Sequence, residues 1–300
     1  MLSPKRKLPA ILLTCLVLVS TAATAADWKP EEVVQKSLAA IGTPEARDAI
    51  KSRVVEGTVQ YKILVGGSGE LDATAVMVSE ADKMQLRLKV NALQYHGEKF
   101  IRNAEKTFVA GMYDDGSRSE FGEFLRGEDT PLREGLLGGV LSRDWILLDP
   151  KVPLNRLHSA GLKKVDGVQL YALSYRPKAN TDLDVTLYFD PETFRHVMTL
   201  YKALVHAGIR GANPDTPMIS DQPSLGQGAE TASARQQQRW YRIEERFSDF
   251  KTVDGVTLPS HYDLRFQTEG LGGSKLVDWN ITTTRVLNNM TLDPRNFETH

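Results

Sequence analysis

The feature that most constrains the fold is a two-residue alternation of apolar and polar side chains, which recurs from Arg53 almost to the end of the chain. In KMQLRLKV, the side chains of Met84, Leu86, Leu88 and Val90 fall on one face and the polar ones on the other. Successive side chains of a strand point to opposite faces, so this pattern predicts strands with one buried face. We expect about ten to twelve such strands.

Two kinds of turn signal separate the alternating segments. The tetrapeptide Val-Asp-Gly-Val occurs at 165–168 and again at 253–256. Asp-Gly favours a two-residue hairpin because both turn residues need positive φ. In DVTLYFDPETFRHVMTLYKALV, at 184–205, an Asp-Pro-Glu-Thr turn lies between two apolar-rich runs. The sequence therefore predicts consecutive antiparallel strands that are joined by short turns.

Helical signals are confined to the N-terminal region and the middle of the chain. Pro30 suits a first helical position and Gly42 a helix end, which predicts an N-terminal helix. In the middle, residues 117–148 interrupt the strands, and Ser117 and Glu120 have capping-box spacing. The apolar face of this first mid-chain helix would consist of Phe121, Phe124 and Leu125.

A second mid-chain helix is expected to begin at Thr130-Pro131. Gly138-Gly139 weakens its middle, because glycine is a poor helix former. The apolar residues expected on this helix are Leu132, Leu136, Leu137, Val140 and Leu141. An amphipathic helix of this kind either packs permanently on a sheet or covers it as a lid.

These elements define a fold class that is mainly β with helices. Helices do not alternate with strands, which argues against a parallel α/β sheet. A sheet of this size must curl, split into two layers or close. Its apolar face is too large for two short helices to cover. A sandwich, a closed barrel and a curled half-barrel plugged by helices all satisfy the pattern.

Residues 1–26 are predicted to be a secretory signal peptide. A basic start, MLSPKRK, precedes the apolar run LPAILLTCLVLVSTAA, and Ala23-Thr24-Ala25 has the small-x-small pattern of a cleavage site. A membrane anchor is the alternative interpretation of this segment. Periplasmic localisation follows from the signal-peptide interpretation, and no later segment is long and apolar enough to span a membrane.

Cysteine and charge content exclude several classes of protein. Cys15 is the only cysteine and lies inside the predicted signal, so the mature chain forms no disulfide and depends on its core. The chain has 37 basic and 38 acidic residues. Without a block of positive charge, it lacks the electrostatic footprint of a nucleic-acid-binding protein.

One segment interrupts the strand pattern near the C-terminal third. Residues 207–238 are rich in Gly, Pro, Ser, Gln and Ala, which predicts a long, mobile loop. A domain boundary is the alternative, but too little chain follows it to build a second core. We therefore expect residues 27–300 to form a single domain.

Motifs of catalysis or metal binding are not evident in the sequence. The histidines form neither a HExxH nor a His-x-His pair. Asp114-Asp115 and Asp182 with Asp184 resemble calcium ligands, but solvated loop carboxylates explain them as well. Ser68 lacks the spacing of a nucleophile elbow. We predict no enzyme activity, no metal and no cofactor.

The order of elements resembles the LolA-like superfamily, the periplasmic lipoprotein carriers and their relatives. VEGTVQYKI resembles the first strand of that superfamily, and KMQLRLKVNALQYHGEKFIRNAEKTFVAG resembles its strand–strand–turn–strand core. VTLYFDPETFRHVMTLYK resembles a later hairpin, and KTVDGVTLPSHYDLRF is typical of the longer bacterial members. The resemblance covers most of residues 30–290. It implies an unclosed barrel whose apolar concave face is covered by helices that move aside for acyl chains.

From this resemblance follows a predicted cavity for lipid or acylated lipoprotein cargo. Flexing at Gly138-Gly139 would open the lid, and Met84 and Met198 would adapt to different chains. The predicted ligand-binding residues are Val76, Val78, Met84, Leu86, Leu88, Val90, Leu125, Leu136, Leu137, Leu141, Leu187, Phe189, Met198 and Leu200.

Three functions remain as hypotheses at this point. The first is a periplasmic carrier that sorts outer-membrane lipoproteins or binds lipids. The second is an envelope sensor module that binds protein partners on the same fold. The third is a secreted hydrolase. The tryptophans Trp145, Trp240 and Trp279 either fill the core or contact a ligand.

Overall fold

The computed structural model describes residues 28–93, 95–113, 118–148, 154–178, 181–206, 238–270 and 273–299. The predictions for the signal peptide, for Ser117 and for residues 207–237 concern parts of the chain outside these ranges.

Strands dominate the described ranges, as the alternation predicts. The strands are β1 Ser52–Val65, β2 Gly69–Glu80, β3 Lys83–Val90, β4 Gly97–Asn103, β5 Lys106–Gly111, β6 Leu157–Val165, β7 Val168–Tyr175, β8 Asp184–Phe189, β9 His196–His206, β10 Gln238–Val253, β11 Val256–Gly270 and β12 Gly273–Asn288. The α-helices are α1 Pro30–Ile41, α2 Pro44–Ala49, α3 Glu120–Gly127 and α4 Thr130–Arg133. Short 3₁₀ helices, η1 to η4, span Gly139–Leu141, Ile146–Leu148, Leu154–Arg156 and Pro294–Phe297.

All the strands belong to one 12-stranded antiparallel sheet in the order β5-β4-β3-β2-β1-β12-β11-β10-β9-β8-β7-β6. The first and last strands of the chain therefore pair in the middle of the sheet, with Arg53 opposite Asn288. β5 and β6 form its two edges, so the sheet is open. This confirms the curled half-barrel, and the sandwich and the closed barrel are wrong.

Among the described residues, one connection between strands crosses the concave face of this sheet. β5 and β6 are consecutive in sequence but lie at opposite edges, so the connection between them must traverse the sheet. Residues 118–148 of this connection are called the crossing segment. It covers the apolar face of the strands, and the alternation predicted for β3 is confirmed because Met84, Leu86, Leu88 and Val90 are all buried in the main core.

The predicted turns are present with the expected backbone. Asp166 and Gly167 have φ of 48° and 88°, and Asp254 and Gly255 have φ of 50° and 79°. These pairs join β6 to β7 and β10 to β11. At the Asp-Pro-Glu-Thr turn, the Asp190 carboxylate accepts hydrogen bonds from the next backbone N–H groups, which stabilises the turn.

The helix predicted from Thr130 onward is wrong beyond its first turn. α4 ends at Arg133, and the chain continues in turns and 3₁₀ helices. Gly135, Gly138 and Gly139 have φ of 61°, 80° and 49°. A left-handed conformation at three positions is incompatible with a continuous α-helix, so the leucines of this region reach the core from an irregular segment.

The remaining helices begin close to the predicted positions. Pro30 is the first residue of α1 and Gly42 follows its last, as predicted. α3 is capped by Ser119, whose hydroxyl accepts a hydrogen bond of 3.1 Å from the Gly122 N–H. The predicted capping residue Ser117 lies outside the described ranges, and the cap that the structure shows is Ser119.

Candidate ligand-binding site

α3 lies over an aromatic floor on the concave face of the sheet. Phe121 contacts Phe266 and Trp279, with ring centroids 5.5 and 5.3 Å apart. Phe124 contacts Tyr241 at 4.7 Å. The short apolar face of α3 thus packs on three aromatic rings, Tyr241 of β10, Phe266 of β11 and Trp279 of β12, which form the aromatic floor. Aromatic contacts of this kind bury large areas and favour tilted geometries.

A groove of about 250 Å³ runs along the edge of α3. Its apolar wall is formed by Phe124, Val205 and Tyr241. Its polar rim consists of Glu120, Glu123, Glu128 and Arg239. The groove lies beside the aromatic floor, with which it shares Phe124 and Tyr241, and it is smaller than most ligand pockets.

Beyond α3, the crossing segment is fastened to the sheet by a buried carboxylate. Glu245 of β10 is 0% exposed. It accepts hydrogen bonds from the Gly138 N–H at 2.6 Å, the Tyr201 hydroxyl at 2.6 Å and the Tyr262 hydroxyl at 2.7 Å. Because a buried charge is stable only when it is hydrogen-bonded, this arrangement fixes the position of Gly138.

Burial also changes the acidity of this carboxyl group. The loss of hydration raises the pKa of Glu245 to about 7, although the three hydrogen bonds act in the opposite direction. Desolvation is the larger effect. The group therefore changes its charge near neutral pH inside the core.

Other polar contacts fasten the rest of the crossing segment to both halves of the sheet. The Arg53 guanidinium donates to the Val140 carbonyl at 2.8 Å, and the Tyr175 hydroxyl donates to Glu134 at 2.5 Å. Further contacts join Arg143 to Ser79, Thr107 to Asp129, Thr181 to Glu128 and Arg102 to Asp144. Residues 128–148 are therefore a fixed part of the core.

α3 has fewer polar attachments to the sheet. Its first turn is held by Glu98 of β4, which accepts hydrogen bonds from the backbone N–H of Ser119 and from the Ser119 hydroxyl, the latter at 3.1 Å. Glu120 is held only by long contacts of 3.4 to 3.5 Å to Arg239, Thr268 and Lys275. Contacts of this length are weak, so the polar attachment of α3 to the sheet depends mainly on Glu98 and Ser119.

Glu98 resembles Glu245 in its surroundings. It is 0% exposed, and burial raises its pKa to about 7 against the opposing effect of its Ser119 hydrogen bonds. The two buried carboxyl groups thus hold two parts of the crossing segment, the first turn of α3 and the backbone at Gly138.

The structure separates the predicted ligand-binding residues into two faces. Met84, Leu86, Leu88, Val90, Leu125, Leu136, Leu137, Leu141, Leu187 and Phe189 belong to the main core on the concave face. Val76 and Val78 alternate with the core residues Ala75 and Met77, and so lie on the outer face. Met198 and Leu200 belong to a second, smaller cluster there. These four do not line the concave face, and ligand contact by the others stays a prediction.

The tryptophans and histidines have different environments. Trp145 and Trp279 are buried, whereas Trp240 is 56% exposed. His196 is buried against Trp145, and desolvation lowers its pKa to about 3. Within the described ranges, no group of three or more His, Cys, Asp or Glu side chains is arranged to hold a metal ion.

Sequence reasoning missed the residues that fasten the crossing segment. Glu98 and Glu245 occupy inward positions of their strands, beside Phe100 and between Ile243 and Phe247. A charged residue in the apolar phase of an alternating strand was the available signal. It indicates a buried group that must have a partner.

Comparisons with known proteins find solved structures that are similar to this chain only at low sequence identity. No family model and no curated protein matches the chain. Among solved structures, a LolA superfamily protein from Nitrosomonas europaea is 11% identical, with 90% of this chain and 98% of that chain covered and a TM-score of 0.42. MucB is 12% identical, with coverages of 83% and 92% and a TM-score of 0.25. The match to the Pseudomonas aeruginosa MucA/MucB complex has 11% sequence identity and a TM-score of 0.23, and it covers 86% of this chain and 99% of that chain.

The TM-scores of these matches are all below 0.5, so the matches carry no argument about function.

In the described part of the chain, no helix combines the length and the hydropathy that a membrane crossing requires.

Proposed function

We propose that this protein is a periplasmic carrier that binds the acyl chain of a lipid or lipoprotein beneath α3, without catalysing a reaction. The observation that carries the proposal is the contrast within the crossing segment. Residues 128–148 are fixed by buried polar contacts, whereas α3 rests on its aromatic floor with a groove along its edge. Displacing α3 uncovers an apolar surface while the rest of the core stays in place.

The length of acyl chain that can bind follows from comparing the cost of displacing α3 with the gain from burying the chain. Uncovering Phe121, Phe124 and Leu125 costs about 4.5–9 kcal/mol, at about 1.5–3 kcal/mol for each side chain. A buried acyl chain gains about 0.8 kcal/mol for each CH₂ group. A chain of about eight carbons barely offsets the cost, whereas one of about sixteen carbons exceeds it. We therefore expect long-chain selectivity.

Fluorescent fatty acids of increasing length test this proposal in the purified mature chain. Organic extraction and mass spectrometry of protein from the native compartment would identify the bound species. Phe124→Lys, at the wall of the groove, should weaken binding at least tenfold. Val168→Lys is the matched control, because Val168 is 56% exposed at the opposite end of the sheet. No acyl species in the extract and no affinity for any chain length would overturn the proposal.

A protein-binding module is the second candidate, and exposed apolar side chains support it. Leu64, Val65, Leu93, Tyr113 and Trp240 are exposed, and all lie where strands begin or end at one end of the sheet. Exposed apolar side chains at one site often mark a protein contact. Capture of an envelope protein that is lost in Tyr113→Ser with Trp240→Ser, while fatty-acid binding persists, would favour this candidate.

A further inference from the structure

Polar groups gather in the apolar interior beneath the first turn of α3. Glu98 comes from β4, Trp279 from β12 and Tyr61 from β1, and each is buried. The Tyr61 ring lies 5.4 Å from Trp279 and 5.9 Å from Tyr95. These four residues and Ser119 are called the polar pit. It adjoins the aromatic floor, because Trp279 also contacts Phe121 of α3.

Trp279 contributes a donor that is not used. Its side chain is 0% exposed, and no acceptor among the described residues lies within hydrogen-bond distance of its Nε1–H. Buried donors without acceptors are rare in folded proteins because each loses its hydration without compensation. An indole can fill a core without this cost only when its N–H finds a partner. This donor is therefore available to an acceptor that enters the pit.

Glu98 contributes a second hydrogen-bonding group, whose present partners depend on α3. Both the N–H and the hydroxyl that it accepts from belong to Ser119, at the cap of α3. Displacement of α3 removes them together. Burial raises the pKa of Glu98 to about 7, so near neutral pH the protonated form is well populated and donates a hydrogen bond. A displaced α3 leaves at least three donors in the pit: the Trp279 indole, the protonated carboxyl of Glu98 and the Tyr95 hydroxyl, which also has no partner among the described residues.

We infer that the polar pit binds the linkage carbonyl of an acyl ester or amide. A carbonyl oxygen only accepts hydrogen bonds and has two lone pairs, which matches the indole N–H and the protonated carboxyl of Glu98. The acyl chain then extends from the pit over the aromatic floor. This inference rests on the proposed function and names the class of acyl compound that it concerns.

A matched pair of ligands tests the inference. 1-Palmitoylglycerol and 1-hexadecylglycerol have the same head group and chain length, but only the ester has a carbonyl. In competition with a bound fluorescent dye at pH 7, the wild-type chain should bind the ester about tenfold more tightly, which corresponds to about 1.4 kcal/mol. Trp279→Phe keeps a ring and removes the N–H, so the preference should fall to about threefold or less.

The chain offers a matched control for this substitution. Trp145 is also buried, and its Nε1–H likewise has no acceptor among the described residues, but it lies in the fixed part of the crossing segment. Trp145→Phe should retain the full preference for the ester. Equal binding of the two ligands by the wild-type chain would overturn the inference and leave the proposed function intact. Binding of neither ligand would overturn both.

A second measurement does not depend on the substituted chains being folded. In wild-type protein labelled with ¹⁵N, the indole N–H resonance of Trp279 should move downfield when the ester is added, because the proton gains an acceptor. The ether should not cause this shift. An unchanged Trp279 resonance in a saturated ester complex would overturn the inference.

Discussion

Gly138 illustrates how one residue can combine a backbone, a packing and a hydrogen-bonding requirement. Its φ of 80° lies in the left-handed region, where an L side chain is strained. A Cβ at this position would contact the terminal methyl group of Met77. Its N–H donates to the buried Glu245. The identity of this residue is therefore determined by the structure of the crossing segment.

Gly138→Ala should lower the free energy of unfolding by about 2 kcal/mol, from backbone strain and the contact with Met77. Urea denaturation measures this change. Gly127→Ala is the control, because no described atom lies within 4 Å of its added Cβ and no positive φ is involved. It should leave the free energy of unfolding unchanged or raise it by up to about 1 kcal/mol, because alanine is the better helix former. Equal effects of the two substitutions would contradict the argument.

At the scale of elements, buried carboxylates hold α3 at both of its ends. Ser119 is both the cap of the helix and the partner of Glu98. Glu128 directly follows the last turn of α3 beside the groove, and its carboxylate accepts hydrogen bonds from Thr130 and Thr181. Loss of the Ser119 contacts is therefore expected to open the first turn of α3.

Ser119→Ala should weaken α3 by about 1 kcal/mol, the usual value of a helix cap. Hydrogen exchange of the α3 amides should become about fivefold faster, since local opening determines their exchange. Thr43→Ala is the matched control because Thr43 caps α2, accepting from the Ala46 N–H at 3.2 Å. It should leave the α3 amides unchanged. Unaltered α3 exchange in Ser119→Ala would show that the cap does not hold this helix.

The elements also show how far the sequence alone predicts the fold. Strand phase and hairpins follow from local rules, so the alternation in β3 and the two Val-Asp-Gly-Val turns were predictable. The helix from Thr130 was not, because its leucine spacing satisfied a helical pattern while Gly135 and Gly138 took left-handed conformations. The path of the crossing segment over the strands depends on the arrangement of the whole sheet.

The candidate site was less predictable than the fold. The aromatic floor combines residues from three strands and α3 that are far apart in sequence, such as Phe121 and Trp279. Met198 was assigned to the cavity because a methionine side chain adapts to different acyl chains, but the register of β9 places it on the outer face. The partners of Glu98 and Glu245 depend on how the crossing segment lies over the sheet, which no local pattern encodes.

At the scale of the whole molecule, three buried titratable groups make stability depend on pH. Glu98 and Glu245 have folded-state pKa values raised to about 7, so the folded state holds their protons more tightly than the unfolded state does. Their contribution is complete below the unfolded pKa and is lost as pH rises through 7. The folded-state pKa of His196 is lowered to about 3. The unfolded state therefore binds this proton more tightly, and His196 lowers the stability of the fold as pH falls below about 6.5.

We expect the free energy of unfolding to decrease between pH 5 and pH 8, by on the order of 3 kcal/mol after the opposing effect of His196. Urea denaturation at a series of pH values measures it. Glu245→Gln keeps the shape of the side chain and removes its titration, so the decrease should become clearly smaller. A stability that rises over this range would show that these carboxyl groups are not buried as described.

The pairing of β1 with β12 has a consequence for the order in which the molecule is assembled. Along the sheet, β6 to β12 and β1 to β5 each run as an uninterrupted meander, so every pairing but one joins neighbours in the chain. The exception brings Arg53 to Asn288, and distant contacts of this kind form slowly. Each meander can assemble early, but the two cannot join until the last strand has been synthesised. Until then, β1 remains an open edge to which a second chain can attach.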